Sequence, residues 1–179
     1  MKEKILVTYA SRTGSTAGVA EEVSKVLAKN GAQLELLPMQ DVSDISPFWA
    51  VVVGSAIQNR QWLPEAVDFI QTNQSALRQK PTAIFTLCMT LAMPNGERYR
   101  PQVSEWITPV RILINPMSEA IFAGVLDIGK IPSFSDRLKF RISVMFRVWS
   151  EGDHRDWSEI NPWATELLPI LESAEKEGK

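Results

Sequence analysis

Two kinds of hydrophobic run alternate along the chain. The first kind is short and nearly continuous: residues 4–10 (Lys-Ile-Leu-Val-Thr-Tyr-Ala), 48–54 (Phe-Trp-Ala-Val-Val-Val-Gly), 82–88 (Thr-Ala-Ile-Phe-Thr-Leu-Cys) and 118–125, with a shorter run over 33–37. Such runs predict strands buried on both faces of a sheet. The second kind has helical spacing. Val19, Val23, Val26 and Leu27 recur while Glu21, Glu22, Lys25 and Lys29 take the other side, so a helix is predicted up to Asn30-Gly31, with Gly31 as its left-handed cap. Leu63, Ala66, Val67 and Ile70 predict a second helix with Pro64 in its first turn. Val103, Trp106, Ile107 and Val110 predict a third over about 102–114, bent at Pro109. A last helix falls within 157–176, interrupted by Pro162 and Pro169. Residues 38–47 leave room for only a turn or two, and 55–62 and 89–98 read as loops.

Strands alternating with helices predict an α/β fold: a doubly wound, five-stranded parallel sheet with helices on both faces. In such sheets ligands bind beyond the carboxyl ends of the strands. Three loops meet that criterion: 11–16, 55–62 and 86–98. The first carries the clearest chemistry. Ser11, Thr13, Ser15 and Thr16 offer hydroxyls, Gly14 allows a tight turn, and a helix follows at once. Small donors at a helix N-terminus suit a phosphate, although Ser and Thr also dominate ordinary helix caps. Neither a G-x-G-x-x-G fingerprint nor a nucleoside-triphosphate P-loop is present, which disfavours dinucleotides and triphosphates.

Composition narrows the field further. The 179 residues are 45% apolar and 22% charged, with a net charge of −2, and fit one domain over 1–179. That balance gives no reason to expect a nucleic-acid partner, whose footprint is basic. One cysteine and no leader-like start point to a cytoplasmic setting. A single Cys and a single His argue against a zinc site. Cys88 reads as a buried, inert thiol, and His154 as a solvated loop residue or one that approaches a ligand. No general acid or base, and no hydrolytic triad, stands out.

Thr8-Tyr9-Ala10-Ser11-Arg12-Thr13-Gly14-Ser15-Thr16 resembles the flavodoxin signature, in which a Ser/Thr-x-Thr-Gly-x-Thr loop wraps the phosphate of FMN. The resemblance implies a flavodoxin-like FMN-binding domain over nearly the whole chain. It places Ser11, Arg12, Thr13, Gly14, Ser15 and Thr16 around the phosphate. Ser55, Ala56 and Ile57, together with Thr86, Leu87, Cys88, Met89 and Thr90, would flank the flavin ring. Trp62 would either stack on that ring or pack on its own helix as a staple. Val51 to Ile57, Thr86 to Ala92, Phe122 to Leu126 and the tail Glu151-Gly152-Asp153-His154-Arg155-Asp156-Trp157 are similar to the menaquinone-dependent protoporphyrinogen IX dehydrogenase branch. That likeness adds Asp153 to the cofactor residues. It implies an FMN-dependent oxidoreductase with a quinone acceptor and a porphyrinogen substrate, against the alternative of an electron carrier that docks on redox proteins.

Residues 127–155 look like an insertion before the last helix. Within it, 130–149 carries Lys130, Arg137, Lys139, Arg141 and Arg147 against one acid, Asp136. Phe134, Leu138, Ile142, Met145, Phe146 and Trp149 form one apolar row, and Phe140, Val144 and Val148 form a second. Such a basic amphipathic segment packs on its own domain, docks a redox protein, or makes a peripheral contact at the inner face of a membrane.

Overall fold

The computed structural model describes residues 4–131 and 133–177. The chain begins with strand β1 (Lys4–Ala10), helix α1 (Ser15–Lys29) and strand β2 (Leu34–Pro38). Strands β3 (Phe48–Gln58) and β4 (Gln61–Trp62) lead into helices α2 (Pro64–Thr72) and α3 (Gln74–Gln79). Next come β5 (Thr82–Leu87), α4 (Arg100–Ile114), β6 (Ser118–Phe122) and β7 (Val125–Leu126), followed by α5 (Phe134–Met145), β8 (Gly152–Asp153) and α6 (Trp157–Glu177). Five strands pair in parallel in the order β2-β1-β3-β5-β6, the doubly wound arrangement that the alternation predicts. β7 and β8 form a separate antiparallel pair.

The two faces of the sheet follow from the two-residue period of its strands. Leu6, Val51, Val53 and Ile84 point into a core shared with Leu63 just before α2, Ala66 and Ile70 within it, and Val103, Ile107 and Val110 of α4. Their neighbours Ile5, Val7, Ala50, Val52 and Phe85 point the other way, onto Val19, Val23 and Leu27 of α1 and Ile160, Ala164 and Leu167 of α6. Gly54 is glycine because a Cβ there would collide with the Phe85 ring.

Several boundaries differ from the sequence reading. Residues 55–58 continue β3 instead of opening a loop, with Ser55 opposite Thr86 and Ala56 opposite Leu87. The strand then folds back on β4 through Asn59 and Arg60, both at positive φ (53° and 63°). That is the geometry of a tight two-residue hairpin turn, but Asn-Arg lacks the glycine that usually signals it. The fifth parallel strand stops at Phe122 rather than 125, and the chain leaves the sheet before Val125 pairs with Asp153. α3 has no sequence counterpart, since Leu77 is its one buried residue. α4 and α6 run through their prolines. Pro109, Pro162 and Pro169 are all exposed, as are Glu105, Ser158 and Thr165 four residues earlier. The carbonyls that lose a helical partner can therefore be hydrated.

Candidate functional site

β1 ends at Ala10 and α1 starts at Ser15, so the intervening turn sits at the carboxyl edge of the sheet. It is held from within: the Gly14 N–H donates to Ser11 Oγ at 3.1 Å, and the Gly18 N–H donates to the Gly14 carbonyl at 3.0 Å. Gly14 has φ +88°, a left-handed conformation that glycine adopts without strain. α1 starts with no side-chain cap and no acid in its first turn. Its first N–H groups and the partial positive charge of its N-terminus are thus left for another acceptor. Thr16, in that first turn, is 1% exposed, and its Oγ1 has no hydrogen-bond partner. A buried hydroxyl in that state is a cost that a bound acceptor would remove.

Beside this turn lies a cavity of about 390 Å³, within the range of small-molecule sites. Arg12, Thr13 and Ser15 line it from the first loop, Ala56 and Ile57 from the end of β3, and Leu87, Cys88 and Met89 from the end of β5. The other sequence-identified residues stand outside the lining. Ser11 and Gly14 shape the turn, and Thr90 is half-buried just beyond Met89. Ser55 and Thr86 are fully buried in the sheet, with their hydroxyls committed elsewhere. Ser55 Oγ accepts from the Leu63 N–H at 3.2 Å and donates to the Ala56 carbonyl at 3.1 Å. Thr86 Oγ1 accepts from Trp62 Nε1 at 3.0 Å. Trp62 is therefore not a stacking platform: at 1% exposure it is part of the core, locked to β5 through its indole N–H.

Cys88 is buried, and desolvation pushes its thiol pKa up, so this residue of the cavity wall carries a neutral SH. Its backbone N–H donates to the Phe122 carbonyl at 2.9 Å. Asp153 is exposed and turned to Arg155, which reaches its carboxylate at 2.9 and 2.6 Å. That guanidinium holds the Asp153 carboxyl below the usual carboxylate range. Arg155 also stacks on Trp157, 4.7 Å from the ring centroid, and lies over Gly18, where a side chain would clash with it. The His154 N–H donates to the Gly124 carbonyl at 3.0 Å, and Ser15 Oγ accepts from the Val125 N–H at 3.0 Å. The first loop, residues 124–125 and the 153–155 tail are thereby linked.

The sequence reading missed much of the cavity wall. Gly124, Val125, Leu126 and Asp127 follow β6, and Ile131, Ser133, Asp136 and Phe140 come from the segment entering α5. Of the first group, Gly124, Val125 and Leu126 carry part of the family likeness but received no site role, because extending the strand to Val125 placed them in the sheet. The second group carries no local signal, since Phe140 reads simply as one apolar residue of an amphipathic helix.

These residues suit FMN. An uncapped helix start with an orphaned buried hydroxyl offers donors to a phosphate, and the adjoining cavity is walled mainly by apolar groups from three strand ends. Comparison with known proteins agrees. No curated protein matches the chain. Among solved structures, rubredoxin oxygen:oxidoreductase from the anaerobe Desulfovibrio gigas is similar over 96% of this chain, with 17% identity and a TM-score of 0.56. The chain spans only 37% of that oxidoreductase. A flavodoxin from the domain Archaea is similar over 94% of this chain and 99% of its own length, with 16% identity and a TM-score of 0.56. The flavodoxin of Streptococcus pneumonia TIGR4 is similar over 95% and 98%, with 14% identity and a TM-score of 0.57. At such identities the likeness is one of fold. Residues 6–156, however, match the flavodoxin domain family directly, and the chain belongs to that family of FMN-binding proteins.

Proposed function

We propose that the protein is an FMN-dependent oxidoreductase resembling quinone-dependent protoporphyrinogen IX dehydrogenase, with a porphyrinogen-type donor and a quinone acceptor. When bound, FMN would supply the redox chemistry between donor and acceptor. The residues of the chain bind, orient and exclude water. Ser11 to Thr16 hold the phosphate: Gly14 and Ser11 set the turn, and Thr13, Ser15 and Thr16 stand at the helix start. Ala56, Ile57, Leu87, Cys88 and Met89, which line the cavity, would flank the flavin ring, with Thr90 just beyond Met89. Ser55 and Thr86 act from behind, fixing the strand ends that carry these residues. Asp153 works through Arg155, which packs over the start of α1. The whole of 1–179 acts as one domain, with 127–155 as its insertion.

One observation carries the enzyme reading. The cavity has a wall beyond the strand ends, built by Ile131, Ser133, Asp136 and Phe140. An electron carrier needs only an accessible flavin edge, whereas an enzyme must enclose a second molecule beside the ring. A carrier that docks on redox proteins is the second reading, favoured by the match to almost the full length of small flavodoxins. Among the described residues no helix is long and apolar enough to cross a membrane. In the enzyme reading, residues 130–149 make a peripheral contact at its inner face.

The test is to reduce the purified holoprotein and follow flavin reoxidation by a soluble menaquinone analogue, with and without protoporphyrinogen. The enzyme reading expects saturable reoxidation by the quinone and porphyrin formation under turnover. Reoxidation that is not accelerated by the quinone, with no porphyrin formed, would leave the carrier.

A further inference from the structure

α5 has no buried residue. A helix of its length, 12 residues, is marginal in water without a packed face, since isolated helices shorter than ~12–15 residues barely hold. Its inner side meets the cavity through Asp136 and Phe140. Its outer side carries Phe134, Leu138, Ile142 and Met145, and Phe146 and Val148 follow just after it. Phe134 is 76% exposed and Met145 71%. Six of the nine large apolar side chains exposed among the described residues thus lie within 15 residues, 134–148. This apolar concentration is unlike the rest of the surface, and one helix displays its central part.

The charge around it selects the occupant. Residues 130–149 hold five basic side chains and one acid, in a chain whose overall charge is −2. Arg141 is exposed at the edge of the apolar face, and Arg147 follows directly after Phe146. A second copy of the chain, meeting this face by two-fold symmetry, would set the basic segments against one another. An anionic lipid surface instead accepts both features. The aromatic and aliphatic groups enter the acyl boundary, while the long basic side chains reach back to the headgroups.

We infer that the outer face of α5, through Phe134, Leu138, Ile142 and Met145, lies in the interfacial layer of an anionic membrane. The inner face of the same helix then closes the flavin cavity. One helix thickness separates lipid from cavity, so an apolar acceptor dissolved in the bilayer reaches the site beside Phe140. This last step rests on the proposed oxidoreductase reading; the docking does not.

The experiment is co-sedimentation of the FMN-loaded protein with vesicles of phosphatidylcholine, with and without phosphatidylglycerol, at low and high salt. Binding is expected to phosphatidylglycerol vesicles and to weaken with salt. R141Q/R147Q should lower that affinity about thirtyfold, from the loss of two basic side chains near the surface. L138S/I142S should abolish sedimentation. Both variants keep FMN absorbance and reduction of a soluble quinone analogue, because neither pair lines the cavity. Failure of the wild-type holoprotein to sediment overturns the inference and leaves the quinone assay to decide the function separately. So does a dimer in sedimentation velocity that L138S/I142S dissociates, since that assigns the face to a second copy.

Discussion

Replacing Thr16 by valine separates what the first turn of α1 does for the fold from what it does for the cofactor. The two side chains have nearly the same shape, and Thr16 is 1% exposed, so packing on the core is preserved. What changes is the hydroxyl, which has no partner in the protein. Leaving a buried hydroxyl unpaired costs about 1–3 kcal/mol. Thr16→Val therefore stabilises the apoprotein, by about 1 kcal/mol at the low end of that range. For a domain of this size that raises the melting temperature by about 2–4 °C. FMN affinity moves the opposite way. A hydrogen bond to a charged phosphate contributes about 1.5–3 kcal/mol, so its loss weakens binding about ten- to a hundredfold. The measurement is differential scanning fluorimetry of apo protein alongside fluorescence titration with FMN. A variant that gains apo stability with unchanged FMN affinity refutes the assignment of Thr16 to the phosphate. One that loses both refutes the idea that the hydroxyl is unsatisfied.

Three further changes probe the surrounding frame. Trp62→Phe strands the Thr86 hydroxyl in the sheet and should cost about 1–3 kcal/mol in urea melts, and adding Thr86→Val should restore part of it; strict additivity would mean that the bond of 3.0 Å contributes nothing. Cys88 should react with iodoacetamide only as fast as the chain opens. Its thiol pKa is raised on folding, so the associated stability is full below the unfolded value and is lost as pH rises through the folded one. Wild type should therefore lose stability relative to Cys88→Ala at alkaline pH, and a flat difference across that range would contradict the burial argument. The Asp153 carboxyl is lowered by Arg155, so its contribution is present above the unfolded pKa and disappears as pH falls through the folded one. Because the pair is partly exposed, Asp153→Asn should remove only about 0.2–1 kcal/mol of that acid-side dependence, read as the difference in melting temperature between pH 6 and pH 3.

The parallel sheet was legible because its strands are buried on both faces, which leaves runs such as Ala50 to Val53 with no polar residue. The first loop was legible because hydroxyls, glycine and a helix start fall within six residues of a strand end. What was not legible depended on pairing between distant segments. Whether Ser55 to Gln58 is strand or loop is decided by Leu87 and Trp62, not by its own composition. The hydroxyls of Ser55 and Thr86 look like ligands in sequence, but a partner 8 residues away in one case and 24 in the other engages them in the core. The prolines of α4 and α6 were misleading for a related reason: a proline on the solvent face breaks one bond without ending a helix whose opposite face is packed.

Ser15 joins the generic part of the site to the part peculiar to this chain. It lines the cavity, its hydroxyl accepts from the Val125 N–H, and Val125 pairs with Asp153 where the chain returns from the insertion. The His154 bond to Gly124 closes the same connection from the other side. The position of the segment that carries Phe140 is therefore tied to the loop assigned to the phosphate. An occupant that orders the loop should also steady β7 and β8. Ser15→Ala cuts that tie at its centre. Losing one half-buried hydrogen bond of about 1 kcal/mol should speed amide exchange at Val125 about fivefold, and at its β8 partner by a similar factor. FMN should slow exchange at β7 and β8 in the wild type and do so less in the variant. If FMN protects these amides equally in both proteins, the two parts of the site are independent, and Ser15 is only a cavity-lining residue.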